Sequence, residues 1–379
     1  MSEGQSPRIL IVRRSSLGDI IVNLPALVAL RRGFPDAHIA WLVDEQLADL
    51  LRGHECLDEV IAIRRYSARQ PCSWLRETQQ VGRQLRELDF DVAVDLQGRG
   101  KSALMCYLSG APRRVGFAGE VRGLPGMRWI NERVPLARGT AAVPRALVMA
   151  DYLGAPIYPV EFRYPILPEA RAWAEDFVRP YPPTPSLKGG GEGSGGGAPL
   201  VGLVLGASTP VKAWPVWHLV QLIEILRGEG VEVVLIGAEA EAEREAAVQA
   251  ALAVSALSAV GKTSLPQLAA LLARSDAVVA GDTGALHVAA AVGTPVVGLY
   301  GPTSPALSGP YGRQHRVLWD QPSCGPCRRR PRCKDYHCMS DLTPERVAEA
   351  LREVLAARTY PAGADAGTPP LTGRGWEGR

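Results

Sequence analysis

Residues 277–299 read AVVAGDTGALHVAAAVGTPVVGL, and the fold class turns on them. Residues 277–280 are a short apolar run closed by Gly281, the length of a buried strand rather than a helix. Residues 284–292 are Ala-rich and helical in pattern, and 295–299 form a second apolar run. Strand, Gly-containing turn, helix, strand is one parallel crossover unit. The same alternation extends outward. Strands are expected at 200–205 and 231–236, with helices at 217–227, 239–252 and 264–273. In the first half, strands are expected at 9–12, 38–43, 60–63 and 91–96, with helices at 20–32, 79–88 and after residue 100. Near-continuous apolar strands alternating with helices imply parallel sheets covered on both faces.

The length of 379 residues suggests two domains. Residues 182–199, PPTPSLKGGGEGSGGGAP, cannot bury enough surface to offset their chain entropy. They read as a linker between an N-terminal domain (1–181) and a C-terminal domain (200–358), and 359–379 as a disordered tail. The Gly-x-Gly-x-x-Gly at Gly191, Gly193 and Gly196 has no strand before it and no helix after it, so it reads as chance. Apolar residues make up 46% and charged residues 21%, which is ordinary for a folded chain. A net charge of +3 gives no reason to expect a nucleic-acid partner. No apolar run approaches the roughly 18–20 residues of a bilayer span, and MSEGQSPR lacks a signal core. The expected location is the cytoplasm. Seven cysteines, an odd number, fit reduced thiols better than a disulfide framework.

Ligands of doubly wound sheets bind at the carboxyl ends of strands, beside helix N-termini. Four segments lie there. RRSSLGD (13–19) offers Ser15, Ser16, a permissive Gly18 and Asp19, which either caps the following helix or serves as a general base. DLQGRGKS (95–102) offers Gln97 and Lys101 for a polar acceptor. GASTPVKAWP (206–215) offers Ser208, Thr209 and Lys212 for an anion such as phosphate, with Pro215 suited to a first helical turn. GDTGALH (281–287) places Asp282, Thr283 and Gly284 at a helix start, where backbone N–H groups attract anions. His287 shares that helix face with Thr283. Cys324, Cys327, Cys333 and Cys338, with His337, form a weak candidate for a structural zinc, set among Arg328, Arg329, Arg330, Arg332 and Lys334. Free thiols or a labile disulfide are the alternative. Gly261-Lys262-Thr263 fails as a P-loop because Ala256 stands where its first glycine belongs.

Taken together, SSLGDIIVNLPAL (15–27), DLQGRGKSAL (95–104), the Lys212-Ala-Trp-Pro loop and GDTGALHVAAAVGTPVVGLYGPTSP (281–305) resemble glycosyltransferase family 9, the bacterial heptosyltransferases. The first two segments and WLVDE (41–45) look most like heptosyltransferase I. The resemblance implies two Rossmann-like domains facing a cleft, the GT-B arrangement. It implies inverting, metal-independent transfer of heptose from ADP-heptose to the Kdo sugar of a Kdo2-lipid A-like acceptor, with no cofactor required. Asp19 matches the catalytic base and Lys212 the lysine beside the donor phosphates. Asp282, Thr283, Gly284 and His287 match the donor motif, with Ser208 or Thr209 beside them. Ser15, Ser16, Gly18, Gln97, Lys101 and the N-terminal arginines match the acceptor side. An anionic lipid acceptor implies peripheral contact with the inner membrane's cytoplasmic face, through Arg13, Arg14, Arg64, Arg65, Arg113 and Arg114. A solvated aspartate, with a pKa near ~3.9, is a weak base, and partial burial is expected to raise it. The alternatives are a family member with another acceptor (heptosyltransferase II or III), a nucleotide-sugar-binding protein that no longer catalyses, and a zinc-dependent binding module.

Overall fold

The structure, a computed structural model, describes residues 6–64, 71–118, 128–179, 198–207, 209–327, 333 and 337–359. Most of the 182–199 linker and 360–379 of the tail lie outside the described residues, as do Arg65, Ser208, Arg328, Arg329, Arg330, Arg332 and Lys334.

The chain forms two compact units that divide between Pro165 and Ile166. The first contains β1 (Arg8–Val12), α1 (Leu17–Ile21), α2 (Leu24–Gly33), β2 (His38–Asp44), β3 (Glu59–Ile63), α3 (Pro71–Glu87), β4 (Val92–Asp95), α4 (Gly100–Leu108), β5 (Arg113–Phe117), β6 (Glu132–Val134) and α5 (Ala142–Tyr152). Its sheet is parallel throughout, in the order β3-β2-β1-β4-β5-β6. The second contains α6 (Pro168–Val178), β7 (Leu200–Val204), α7 (Val216–Gly228), β8 (Glu232–Ile236), α8 (Ala242–Ala251), β9 (Leu257–Ser258), α9 (Leu265–Arg274), β10 (Ala277–Gly281), α10 (Gly284–Ala291), β11 (Val296–Leu299), α11 (Pro305–Ser308), β12 (Arg316–Leu318), α12 (His337–Ser340) and α13 (Pro344–Thr359). Its sheet is also parallel, in the order β12-β11-β10-β7-β8-β9. Counted from its own first strand, each unit has the same order, 3-2-1-4-5-6, which is that of dinucleotide-binding folds.

The central strands are buried on both faces, as their unbroken apolar runs require. β7 and β10 are buried at every position, and β1 at all but its first. Gly202 lies mid-strand in β7. A Cβ there would come within 3.0 Å of Ile236 Cδ1 and 3.3 Å of Val278 Cγ2. Gly202→Val is therefore expected to overpack the sheet by about 1–3 kcal/mol and to lower the calorimetric melting temperature by about 2–10 °C. An unshifted melt would show slack that this packing does not have.

Two boundaries differ from those expected. The single helix at 20–32 is two helices, because Pro25 lies in the first turn of α2 and cannot continue α1. The boundary between units falls before α6 rather than at the 182–199 linker. Ala170 and Ala174 of α6 pack against Ala270 of α9, which ties that helix to the second unit.

Candidate active site

In each unit the strand order reverses between the first and fourth strands, and ligands of such sheets bind in the crevice at their carboxyl ends. In the first unit that point lies between β1 and β4. The chain leaves β1 at Arg13, whose side chain is 10% exposed. Arg13 Nη1 donates to the Leu96 carbonyl at 2.6 Å, and Nη2 lies 2.7 Å from Asp19 Oδ1. The other oxygen, Asp19 Oδ2, accepts from the Ser16 N–H at 3.1 Å and the Ser16 hydroxyl at 2.9 Å. Asn23 donates to the Asp19 carbonyl. Asp19 thus caps α1 with one oxygen and pairs with Arg13 through the other, while its side chain stays 48% exposed. The capping role weighed for it is real, and it leaves the carboxylate open to a ligand.

Burial pushes the Asp19 carboxyl up, but Arg13 and the two Ser16 hydrogen bonds outweigh it and hold the group below the ordinary value. This reverses the expected rise. Desolvation of a half-exposed carboxylate loses to a guanidinium 2.7 Å away.

Gln97 lies in the same crevice, where its Oε1 accepts from the Arg14 N–H at 3.1 Å. Asp95, fully buried, forms the turn beneath it: Oδ1 accepts from the N–H groups of Gln97 and Gly98, both at 2.9 Å. Lys101 is exposed at the start of α4. With Arg14, it lines a small recess together with Ile63, Val81 and Met105. Ser15 and Gly18 are partly buried beside Ser16, which is exposed.

The N-terminal arginines are not a free basic face. Arg14 pairs with Asp44 at 2.8 Å, and Arg113 forks onto Glu132 at 2.8 and 2.9 Å. Arg114 donates to the Trp129 and Ala111 carbonyls at 2.7 Å each. Arg64 is exposed, 3.6 Å from Glu45. Carboxylates and carbonyls of the same unit already hold Arg14, Arg113 and Arg114.

In the second unit the crevice lies between β7 and β10. A short 3-10 turn, Pro210–Lys212, carries Lys212 across the end of β10. Its Nζ lies 2.7 Å from Asp282 Oδ2, with the side chains 16% and 12% exposed. Gly281 permits this approach, since a Cβ there would sit 3.3 Å from the Lys212 carbonyl. Thr283 occupies the N-cap position of α10 in extended conformation, and its hydroxyl is buried without a partner among the described residues. Gly284 opens the helix, and His287, 8% exposed, lies one turn in. Thr209 precedes the 3-10 turn, and Ser208 is outside the described residues. A small recess brings together Gly206, Lys212, Gly281 and Arg244.

Sequence reasoning missed two residues here. The Glu241 carboxylate packs over Gly206, 3.1 to 3.4 Å from where a Cβ would stand, and accepts from the Ala238 N–H at 2.8 Å. It follows the second strand of its unit, where dinucleotide folds keep an acid for ribose hydroxyls. That position was a usable signal. Arg244, in an Ala/Glu-rich helix, carried none.

Cys324 Sγ is 4.0 Å from His337 Nε2, and Cys338 packs against Gly301. Burial, reinforced by the other three cysteines, pushes the Cys338 thiol up to about 11. Among the described residues no group of three or more His, Cys, Asp or Glu is placed to hold an ion. Cys56, Cys106, Cys324, Cys327, Cys333 and Cys338 are free thiols. Among the described residues, no helix is long and apolar enough to cross a membrane.

These features can be set beside known proteins. The profile of glycosyltransferase family 9 (heptosyltransferase) matches residues 78–337. Lipopolysaccharide heptosyltransferase 1 of Pseudomonas aeruginosa is 31% identical over 92% of this chain and 98% of its own. The structure of E. coli ADP-heptose lipopolysaccharide heptosyltransferase II superposes with a TM-score of 0.73 at 25% identity, covering 93% of this chain and all of that one. An E. coli heptosyltransferase solved with ADP gives 0.69 at 26% identity, covering 92% and 99%. The two Rossmann-like units are those of a GT-B glycosyltransferase. With its profile matched over most of the chain and a relative matched nearly end to end, this chain belongs to glycosyltransferase family 9, the heptosyltransferases.

Proposed function

We propose that this protein transfers heptose from ADP-heptose to the Kdo sugar of the lipopolysaccharide inner core, inverting the anomeric centre and requiring no metal. The observation that carries the reading is the Lys212–Asp282 pair, 2.7 Å long, at the N-terminus of α10. It holds a cation and a helix start, with their N–H groups, at one crevice, which suits a diphosphate. The solved relative with ADP supports a nucleotide diphosphate there.

In this mechanism the acceptor hydroxyl attacks the anomeric carbon and the new C–O bond forms as the bond to the diphosphate breaks. The proton passes to Asp19, and ADP leaves. Lys212 and the α10 N–H groups offset the charge that grows on the leaving diphosphate, so positively charged protein groups do what a metal does in other transferases. Thr209, Thr283 and His287 complete the donor contacts, and Glu241 takes the ribose hydroxyls. Ser16 and Arg13 fix the Asp19 carboxylate, so its usefulness as a base comes from position rather than from a raised pKa. Gln97 and Lys101 belong to the acceptor side. The enzyme works in the cytoplasm at the inner membrane surface, where a lipid-linked acceptor is presented.

The acceptor is tested by comparing initial rates with Kdo2-lipid A and with its singly heptosylated product. The first is expected to be faster by about 10²-fold or more. The reverse preference would assign the chain to heptosyltransferase II chemistry, which the E. coli heptosyltransferase II likeness keeps as the second reading.

A further inference from the structure

Lys212 alone cannot supply net positive charge to the donor crevice, because Asp282 neutralises it at 2.7 Å. A second cation lines the same recess. Arg244 of α8 borders it together with Lys212, Gly206 and Gly281. Its Nη2 donates to the Trp214 carbonyl, two residues beyond Lys212. Its Nε is buried and has no partner among the described residues, where the guanidinium also makes no ion pair. The carboxylate that acts on it electrostatically is Glu241, itself bonded to the Ala238 N–H. A desolvated guanidinium N–H without an acceptor is costly, and an anion is the ligand that relieves it.

Building on the donor reading above, we propose that Arg244 is a diphosphate-binding residue of the donor site, a second source of N–H donors in the recess that Lys212 lines. The bond to Trp214 holds the guanidinium against the Lys212 loop, so one side chain both braces that loop and meets the anion. Arginine suits this place because its fork can keep the carbonyl bond and still present N–H donors to phosphate oxygens.

The test is calorimetric titration of the full-length protein with ADP and, separately, with adenosine. Arg244→Gln is expected to weaken ADP by about 10- to 100-fold and to leave adenosine within about twofold. Arg244→Lys keeps the charge without the fork and is expected to hold ADP within about fivefold of wild type. Equal loss of ADP and adenosine, or equal loss of ADP in both variants, would reduce Arg244 to a brace for Trp214 and overturn the proposal. So would unchanged ADP binding in Arg244→Gln. Should the glutamine variant not fold, Arg244→Met, which keeps the apolar stem and removes the charge, is read against the same limits: ADP weakened by about tenfold or more with adenosine kept supports the role, and unmoved ADP refutes it. Wild-type protein that binds no ADP would remove the donor reading and this one together, whereas wild-type binding with an unmoved variant removes this one only.

Discussion

Asp19→Asn is expected to lower turnover by about 10²- to 10⁴-fold while ADP affinity stays within about twofold. The separation follows from the proposed roles, since Asp19 belongs to the first unit and Lys212 and Asp282 to the second. Asparagine keeps the shape and one oxygen for the Ser16 bonds, so α1 remains capped. It removes the proton acceptor and the partner of Arg13. The pH profile gives a second readout. The Asp19 carboxyl is held below its ordinary value, so it stays ionised until the pH falls through that lowered value. The acidic limb of kcat/KM is therefore expected below about pH 4. The stability given by the Arg13–Asp19 pair has the same sign: it is present above the unfolded carboxyl's pKa and is lost as pH falls through the folded one. An acidic limb near pH 6 would mean that another group, or a different environment for Asp19, sets the base.

Lys212→Gln is expected to cut turnover by about 10²- to 10³-fold and, unlike the Asp19 variant, to weaken ADP as well. It also leaves Asp282, 12% exposed, without its cation, at a stability cost of about 1–3 kcal/mol. Pairing it with Asp282→Asn separates the two effects. The double variant is expected to recover the melting temperature, because no carboxylate is left unpaired, and to recover no turnover, because the cation is still missing. Full activity in the double variant would mean that the pair is only structural and would exclude Lys212 from the chemistry.

Much of this was legible in the chain, for identifiable reasons. The segment from β10 to β11 shows itself because a fully buried parallel strand must be apolar throughout, and because a helix opening on Asp-Thr-Gly needs those glycines. Asp19, Lys212 and Asp282 could be placed at the carboxyl ends of strands, where parallel sheets bind ligands, because each lies shortly after an apolar run. The strands β5 (RRVGF), between β4 and β6, and β6 (ERV), at the sheet's edge, were hidden because arginines interrupt their apolar pattern, Arg113 pairing with Glu132 and Arg114 with carbonyls. The docking of α6 was hidden because its partner Ala270 is remote in sequence. The direction of the Asp19 shift was illegible because it depends on Arg13 folding back across the turn between β1 and α1. Arg244 was illegible because nothing in an Ala/Glu-rich helix marks which residue the fold will place beside Lys212.

On the proposed reading, a base on the first unit and a diphosphate site on the second serve one inverting heptosyl transfer. Its most direct test is transfer by the purified protein from ADP-heptose to Kdo2-lipid A with EDTA present, with the anomeric configuration of the product read by NMR. One ADP is expected per heptose transferred, with the configuration opposite to that of the donor. Retention of configuration, or transfer that stops in EDTA and returns with a divalent ion, would contradict it.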